Sequence, residues 1–241
     1  MTGMDWASGT YMRDGRPDGG RRLRVTAAAD WYPMREFAPK SWERPLELYG
    51  DLLEELRSGD VRIVNVECSL GGAGAPILKD GPNLQADARS LAALTRVPFH
   101  LAALANNHAM DYGPEGLRHT IRLLNEANVR TVGGGMTERE AARPVFFDMK
   151  GLKLAVINCA EGEECLSVHG GPGVNGSDAH RIAETIRECK LSGALVLVIH
   201  HGGREVAPMP PPYVVKLLRA FADAGADAVV GHHPHVPQGV E

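Results

Sequence analysis

The sequence predicts an α/β fold, a layered sheet flanked by helices, and three observations carry that expectation. Short β-branched runs alternate with segments of helical period along the 241 residues. Apolar residues at 44% and charged residues at 23% match the usual globular mix, which excludes a fibre, a coiled coil or disorder for the whole chain. Polar residues able to do chemistry follow directly on the predicted strands, as they do where open α/β sheets bind ligands at their carboxyl ends.

Residues 1–21 are polar and rich in glycine and arginine, and read as a flexible tail without the apolar stretch of a secretory signal. Residues 23–29 form a strand ending on Asp30. The run LELYGDLLEELR at 46–57 has helical spacing, and Gly59-Asp60 stops it. VRIVNV at 61–66 is a buried strand whose end presents Glu67. Residues 71–83 are a Gly/Pro-rich stretch expected to fold over a site as a lid, carrying Lys79 and Asn83. A helix over 86–95 and a strand over 101–105 then lead into Asn106-Asn107-His108.

PEGLRHTIRLLNEA at 114–127 is an amphipathic helix with proline near its start, and Asp111 is placed to cap it. Strands follow over 129–132, 145–149 and 153–158, with a short helix over 138–142 and a turn at Lys150-Gly151. Ser177 opens a helix that runs to Leu191. ALVLVI at 194–199 is a strand ending on His200-His201. A helix over 212–224 and a strand over 227–230 lead to Gly231-His232-His233. With no internal repeat and no linker, residues 22–241 read as a single domain.

A net charge of −4 provides no basic field for a nucleic-acid partner. No apolar run reaches the roughly 20 residues of a membrane helix, so the expected place is the cytoplasm, without a membrane partner. The four cysteines lack C-x-x-C spacing and read as inert buried thiols. Histidine is the unusual count: there are ten, and five fall in two clusters, His200-His201 and His232-His233 with His235. Together with Asp30, Glu67 and Asn107 they make a mixed nitrogen and oxygen donor set suited to a divalent cation such as Mn, Zn, Mg or Ca. No organic cofactor is indicated. Glu161 and Glu163 end another strand and could face the same cleft, and Arg204 could hold an anion by its planar fork. His100, His119, His169 and His180 are isolated and receive no role.

The run LANNHAMDYG at 104–113, followed by Gly116-Leu117 and Thr120, resembles the signature of the CapA family of poly-γ-glutamate capsule synthesis. Further matches keep the family's order: Asn65-Val66-Glu67, LKDGPN at 78–83, Gly133-Gly134-Gly135 with EAAR at 140–143, HGGRE at 201–205, and GADAVVGHHPH at 225–235. The resemblance implies a calcineurin-like metallophosphatase fold, a sheet sandwich flanked by helices. It implies a site of Asp30, Glu67, Asn107, His108, His201, Glu205, His232, His233 and His235, in which Asn107 ligates a metal and His108 assists the transition state.

Two departures stand out. Tyr32 occupies the place where phosphatases carry a histidine ligand, and Glu67 the place of an aspartate, so one metal or a loosely held hard ion is expected. The relatives continue beyond the segment ending at Glu241, so the domain is expected to lack C-terminal strands.

Three functions fit. The first is metal-dependent chemistry on a peptide or polyglutamate-like substrate, with Asp30, His108, His201 and Glu205 as catalytic groups and Lys79, Asn83, Glu161 and Arg204 binding the substrate. The second is cofactor-independent inversion of a peptide α-carbon by an Asp/His pair, a peptide epimerase of the kind that CapA-like proteins provide in natural-product pathways. The third is a non-catalytic polymer-binding or assembly subunit. The oligomeric state is left open.

Overall fold

A computed structural model describes residues 3–5, 10–12, 20–162 and 164–241. Of the expected tail, Gly3–Asp5 pairs antiparallel with Thr10–Met12, and the rest up to residue 19 lies outside the described residues, as does Glu163.

Two four-stranded sheets form the centre. The first contains β1 (Val25–Trp31), β2 (Val61–Val66), β3 (Leu101–Ala103) and β4 (Arg130–Val132), all parallel and in that order. The second runs β5 (Val145–Met149), β6 (Leu152–Ala160), β7 (Leu195–His201) and β8 (Ala228–His232), where β5 and β6 are an antiparallel hairpin and the remaining pairs are parallel. The hairpin turns on Lys150 and Gly151, both at positive φ, the backbone that a two-residue turn between twisted strands requires. Helices α1 (Phe37–Glu43), α2 (Leu52–Ser58), α3 (Leu91–Arg96) and α4 (Gly113–Glu126) serve the first sheet; α5 (Ala179–Leu191) and α6 (Pro212–Asp223) serve the second.

Side chains alternate across each strand, and both faces of both sheets are covered, which is why the strands are apolar without a break. Val61, Ile63, Leu101, Ala103, Leu154, Val156, Leu197 and Ile199 fill the seam between the sheets. Val64, Val66, Ala102 and Leu104 face Leu56, Leu94, Leu117 and Leu124 of the first helical layer. Ala155, Ile157, Val196 and Val198 meet Ile182, Ile186 and Phe221 of the second. The architecture is therefore a helix–sheet–sheet–helix sandwich, the layered α/β class expected. The four cysteines are buried and unbridged, and burial pushes the Cys159 thiol up to about 12, which leaves it an inert thiol.

Several local expectations change. The helix read over 46–57 begins only at Leu52, because Gly50 sits in the left-handed region and breaks it, and the unforeseen α1 precedes it. Asp178, not Ser177, caps α5 by accepting the amides of His180 and Arg181. Asp111 does not cap α4: the cap residue is Tyr112, and the Asp111 carboxylate is engaged elsewhere. Among the described residues no helix is long and apolar enough to cross a membrane.

At the carboxyl end of the seam the apolar series turns polar in register: Ile63 gives way to Asn65, Val156 to Asn158 and Ile199 to His201. Asn158 ties the sheets together there, accepting the Ala105 amide at 2.7 Å and donating to the Ile199 carbonyl at 3.1 Å. Gly133, at positive φ, leaves room for it; a Cβ there would come within 2.1 Å of its amide oxygen. Replacing Asn158 by alanine strands the buried Ala105 amide, so chemical denaturation of Asn158→Ala is expected to show a loss of about 1–3 kcal/mol.

Candidate metal centre

The site grows out of the polar end of the seam. A register shift in β1 pairs Ala28 with Val64 but Asp30 with Asn65, so Asp30 lies beside Asn65 on the seam face instead of following the strand's end. Asn65 donates to Asp30 Oδ1 at 2.7 Å and lies 3.3 Å from His201 Nδ1. Its own oxygen accepts from Asn106, which also donates to the Val66 carbonyl. His201 and His232 belong to β7 and β8 themselves, and His201 continues the inward series from Leu197 and Ile199. His200 points the opposite way, fully buried, with Glu161 3.5 Å from its Nε2.

Around Asp30 the second sheet closes in. His201 Nδ1 and His232 Nδ1 each lie 3.7 Å from Oδ1, and His235 Nδ1 lies 3.3 Å from Oδ2, which also accepts the His233 amide at 3.2 Å. His233 and His235 both adopt positive φ, a strained backbone for non-glycine residues. Across the seam, His201 Nε2 lies 2.9 Å from Asn107 Oδ1 and 3.3 Å from Glu67 Oε1. The Asn107 contact takes the ring hydrogen, and Glu67 Oε1 is left without a hydrogen-bond partner.

Burial holds His201 well below the ordinary histidine range, against the pull of Asp30, and lowers His232 and His233 as well. These imidazoles are therefore neutral, with lone pairs to offer. Burial, reinforced by Asp30, pushes Glu67 up to about 7.

Donor atoms fall into four overlapping sets, each within 4.8 Å: Asp30, His201 and His232; Glu67, His201 and His233; Glu205, His233 and His235; Asp30, Glu67 and His235. The residues fit a divalent cation on the structure's own terms. Glu67 Oε1, His232 Nδ1 and His233 Nδ1 are buried without a hydrogen-bond partner, a costly state that a cation would relieve. The donors are nitrogen and oxygen without thiolate, as hard or borderline ions prefer.

The remaining expected residues divide. Glu205 is exposed at the rim and joins the set with His233 and His235. Arg204 is exposed beside it and pairs with nothing among the described residues. Glu161 stands behind β7, accepting from Tyr213 at 2.9 Å and from the Gly203 amide at 3.2 Å, so it braces the loop that carries Glu205. Partial burial opposes its ionisation, but His200 and the Tyr213 hydroxyl outweigh that and hold its carboxyl below the usual range.

Lys79 is turned inward onto Asp111, its side chain 5% exposed, and Asn83 donates to the Ile77 carbonyl within its own loop. Both side chains thus make contacts within the chain. Sequence reasoning missed Asn65, Asn106 and Asp111. The signal for Asn65 was present, a polar residue in step with Val61 and Ile63; Asn106 and Asp111 stood within the LANNHAMDYG run, but nothing local gave their partners.

A model of the family described as bacterial capsule synthesis protein PGA_cap matches residues 24–241. The chain is 33% identical over 162 residues to the PGA biosynthesis protein CapA of Bacillus subtilis (strain 168), covering 66% of this chain and 43% of that protein. It is 31% identical over 162 residues to the capsule biosynthesis protein CapA of Bacillus anthracis, covering 65% and 39%. A probable polyglutamine synthesis accessory protein of Mycobacterium tuberculosis is 26% identical over 218 residues, covering 84% and 57%. The matches thus span about two fifths to three fifths of these relatives' lengths. Among solved structures, the crystal structure of TT1561 of Thermus thermophilus aligns with a TM-score of 0.45 and 12% identity, covering 87% of this chain and 81% of that one. The chain belongs to the bacterial capsule synthesis protein family, the CapA family.

Proposed function

We propose that the chain is a metal-dependent enzyme acting on a peptide or polyglutamate-like chain. One observation carries this reading: neutral histidines and two carboxylates from both sheets converge at the end of the seam, with three buried donor atoms unpaired. The names of the relatives, a PGA biosynthesis protein and a capsule biosynthesis protein, support the substrate class. Asp30, Glu67, His201, His232, His233 and His235 would hold a divalent ion, with Glu205 at its outer edge. When bound there, such an ion supplies positive charge that polarises a carbonyl oxygen and acidifies water.

The chain's own residues do the rest. Asn65 orients Asp30 and His201 together. Asn107 takes the hydrogen of His201 Nε2 and so sets which ring nitrogen is bare. His108, at the start of the segment that leads into α4 and near enough to Glu67 to favour its carboxylate, would move the proton.

Metal binding is checked by thermal unfolding with Mn, Zn, Mg or Ca. An ion at about 100 times its Kd is expected to stabilise the fold by about 2.7 kcal/mol, and His201→Ala to lose that gain. No shift with any of the four ions overturns the metal reading. Asn65→Ala, which leaves every donor in place, is expected to lower metal affinity by about 10–100-fold in calorimetric titration.

The reaction is read by incubating poly-γ-glutamate and short γ-glutamyl peptides in deuterated water, with and without chelator. Chelator-sensitive cleavage is expected. Deuterium at an α-carbon without cleavage would instead identify α-carbon inversion, and binding without either change an assembly role.

A further inference from the structure

Behind the donor cluster lies a second group of ionisable side chains that metal binding leaves unused. The Asp111 side chain is fully buried and that of Lys79 is 5% exposed. Asp111 Oδ1 takes the Lys79 ammonium, while Oδ2 lies 2.7 Å from His108 Nδ1 and accepts the Leu84 amide. The same ammonium donates to the Asn107 carbonyl at 3.2 Å and stands 3.2 Å from His108 Nδ1. His108 Nε2 has no hydrogen-bond partner among the described residues, and the ring is 11% exposed.

A neutral imidazole carries one ring hydrogen, and these contacts decide where it sits. Nδ1 lies between a carboxylate, which only accepts, and an ammonium, which only donates. The carboxylate is closer, and Lys79 already has two other acceptors, Asp111 Oδ1 and the Asn107 carbonyl. A bare Nδ1 would set its lone pair against a carboxylate oxygen at 2.7 Å. The assignment that removes this repulsion places the hydrogen on Nδ1, donated to Asp111.

We infer that the buried Lys79–Asp111 ion pair is a positioning device that holds His108 in its Nδ1–H form and leaves Nε2 bare. For the proton-moving role given to His108, and resting on the proposed function, the consequence is directional. Neutral His108 accepts a hydrogen at Nε2 and has none there to give. It therefore receives the proton of a water as that water adds to the substrate carbonyl, and only then has a proton to return to the departing nitrogen. Lys79 also bolts the loop over residues 71–83 to the start of the α4 segment, so the expected lid is fastened at its middle.

The test is a two-bond 15N–1H correlation spectrum of the full chain labelled at histidine nitrogen, recorded well above the ordinary histidine pKa of about 6.5. His108→Gln identifies the His108 signals by their disappearance. The wild type is expected to show a protonated Nδ1 and a bare Nε2 at His108; a protonated Nε2 overturns the inference whether or not the double variants below fold.

Lys79→Met/Asp111→Leu exchanges the pair for apolar side chains and leaves no single buried charge behind. In that variant His108 is expected to shift towards Nε2–H while the protein still melts cooperatively. A folded variant with an unchanged Nδ1–H ring also overturns the inference. If the apolar pair does not fold, Lys79→Gln/Asp111→Asn is read in the same way, with a reduced Nδ1–H fraction expected. The spectrum needs neither metal nor substrate, so failure of metal binding would overturn the proposed function and leave the tautomer assignment standing.

Discussion

The Asp30 carboxylate is the constraint on which the site depends. It accepts a hydrogen bond from Asn65 of the neighbouring strand and another from the backbone of His233, just past the last strand of the opposite sheet, and it faces three histidine rings. A charge so placed costs several kcal/mol unless it is paired and hydrogen-bonded. The fold meets that cost by bringing both sheets to the same carboxylate. The shift of register in β1 makes it possible by moving Asp30 into line with Asn65. Without it, pleat alternation would turn the side chain toward the helical layer.

The apolar seam and the polar site are two stretches of one structure. Valine, leucine and isoleucine fill the space between the sheets until, at one level near their carboxyl ends, Asn65, Asn158 and His201 take over. Asn158 commits both ends of its amide to backbone groups of the two sheets, so it contributes rigidity and no chemistry. Asn65 directs its amide to Asp30 and His201. The donors thus stand on strand ends held by a packed core, which keeps them close together in a folded chain and far apart in an unfolded one.

Two buried charged systems sit next to each other and differ in kind. The histidine and carboxylate donors are left with unpaired atoms, a state that favours a cation. The Lys79–Asp111 pair is internally neutral and fully engaged with Leu84, Asn107 and His108. One accounts for what the site would bind and the other for how a single ring beside it is oriented. Glu161 plays a comparable bracing part behind β7 through Tyr213 and Gly203.

By itself the sequence determined the class of fold, the order of the central strands and of the helices other than α1, and the family, because periodicity and ordered motifs are local properties of the chain. It also marked most of the donors, since histidines and carboxylates at strand ends are conspicuous. Tertiary structure decided which face each residue takes. His200 and His201 are adjacent in the chain, yet pleat alternation sends one behind the sheet and the other into the seam. Asp111 looked like a helix cap and Lys79 like a substrate contact, because their partnership spans 32 positions and no local pattern encodes it. Side chains able to bind a ligand are visible as residue types; the roles of Asn106, Asp111 and Lys79 in orienting others are visible only once the chain has folded, because the contacts that define them are distant in sequence.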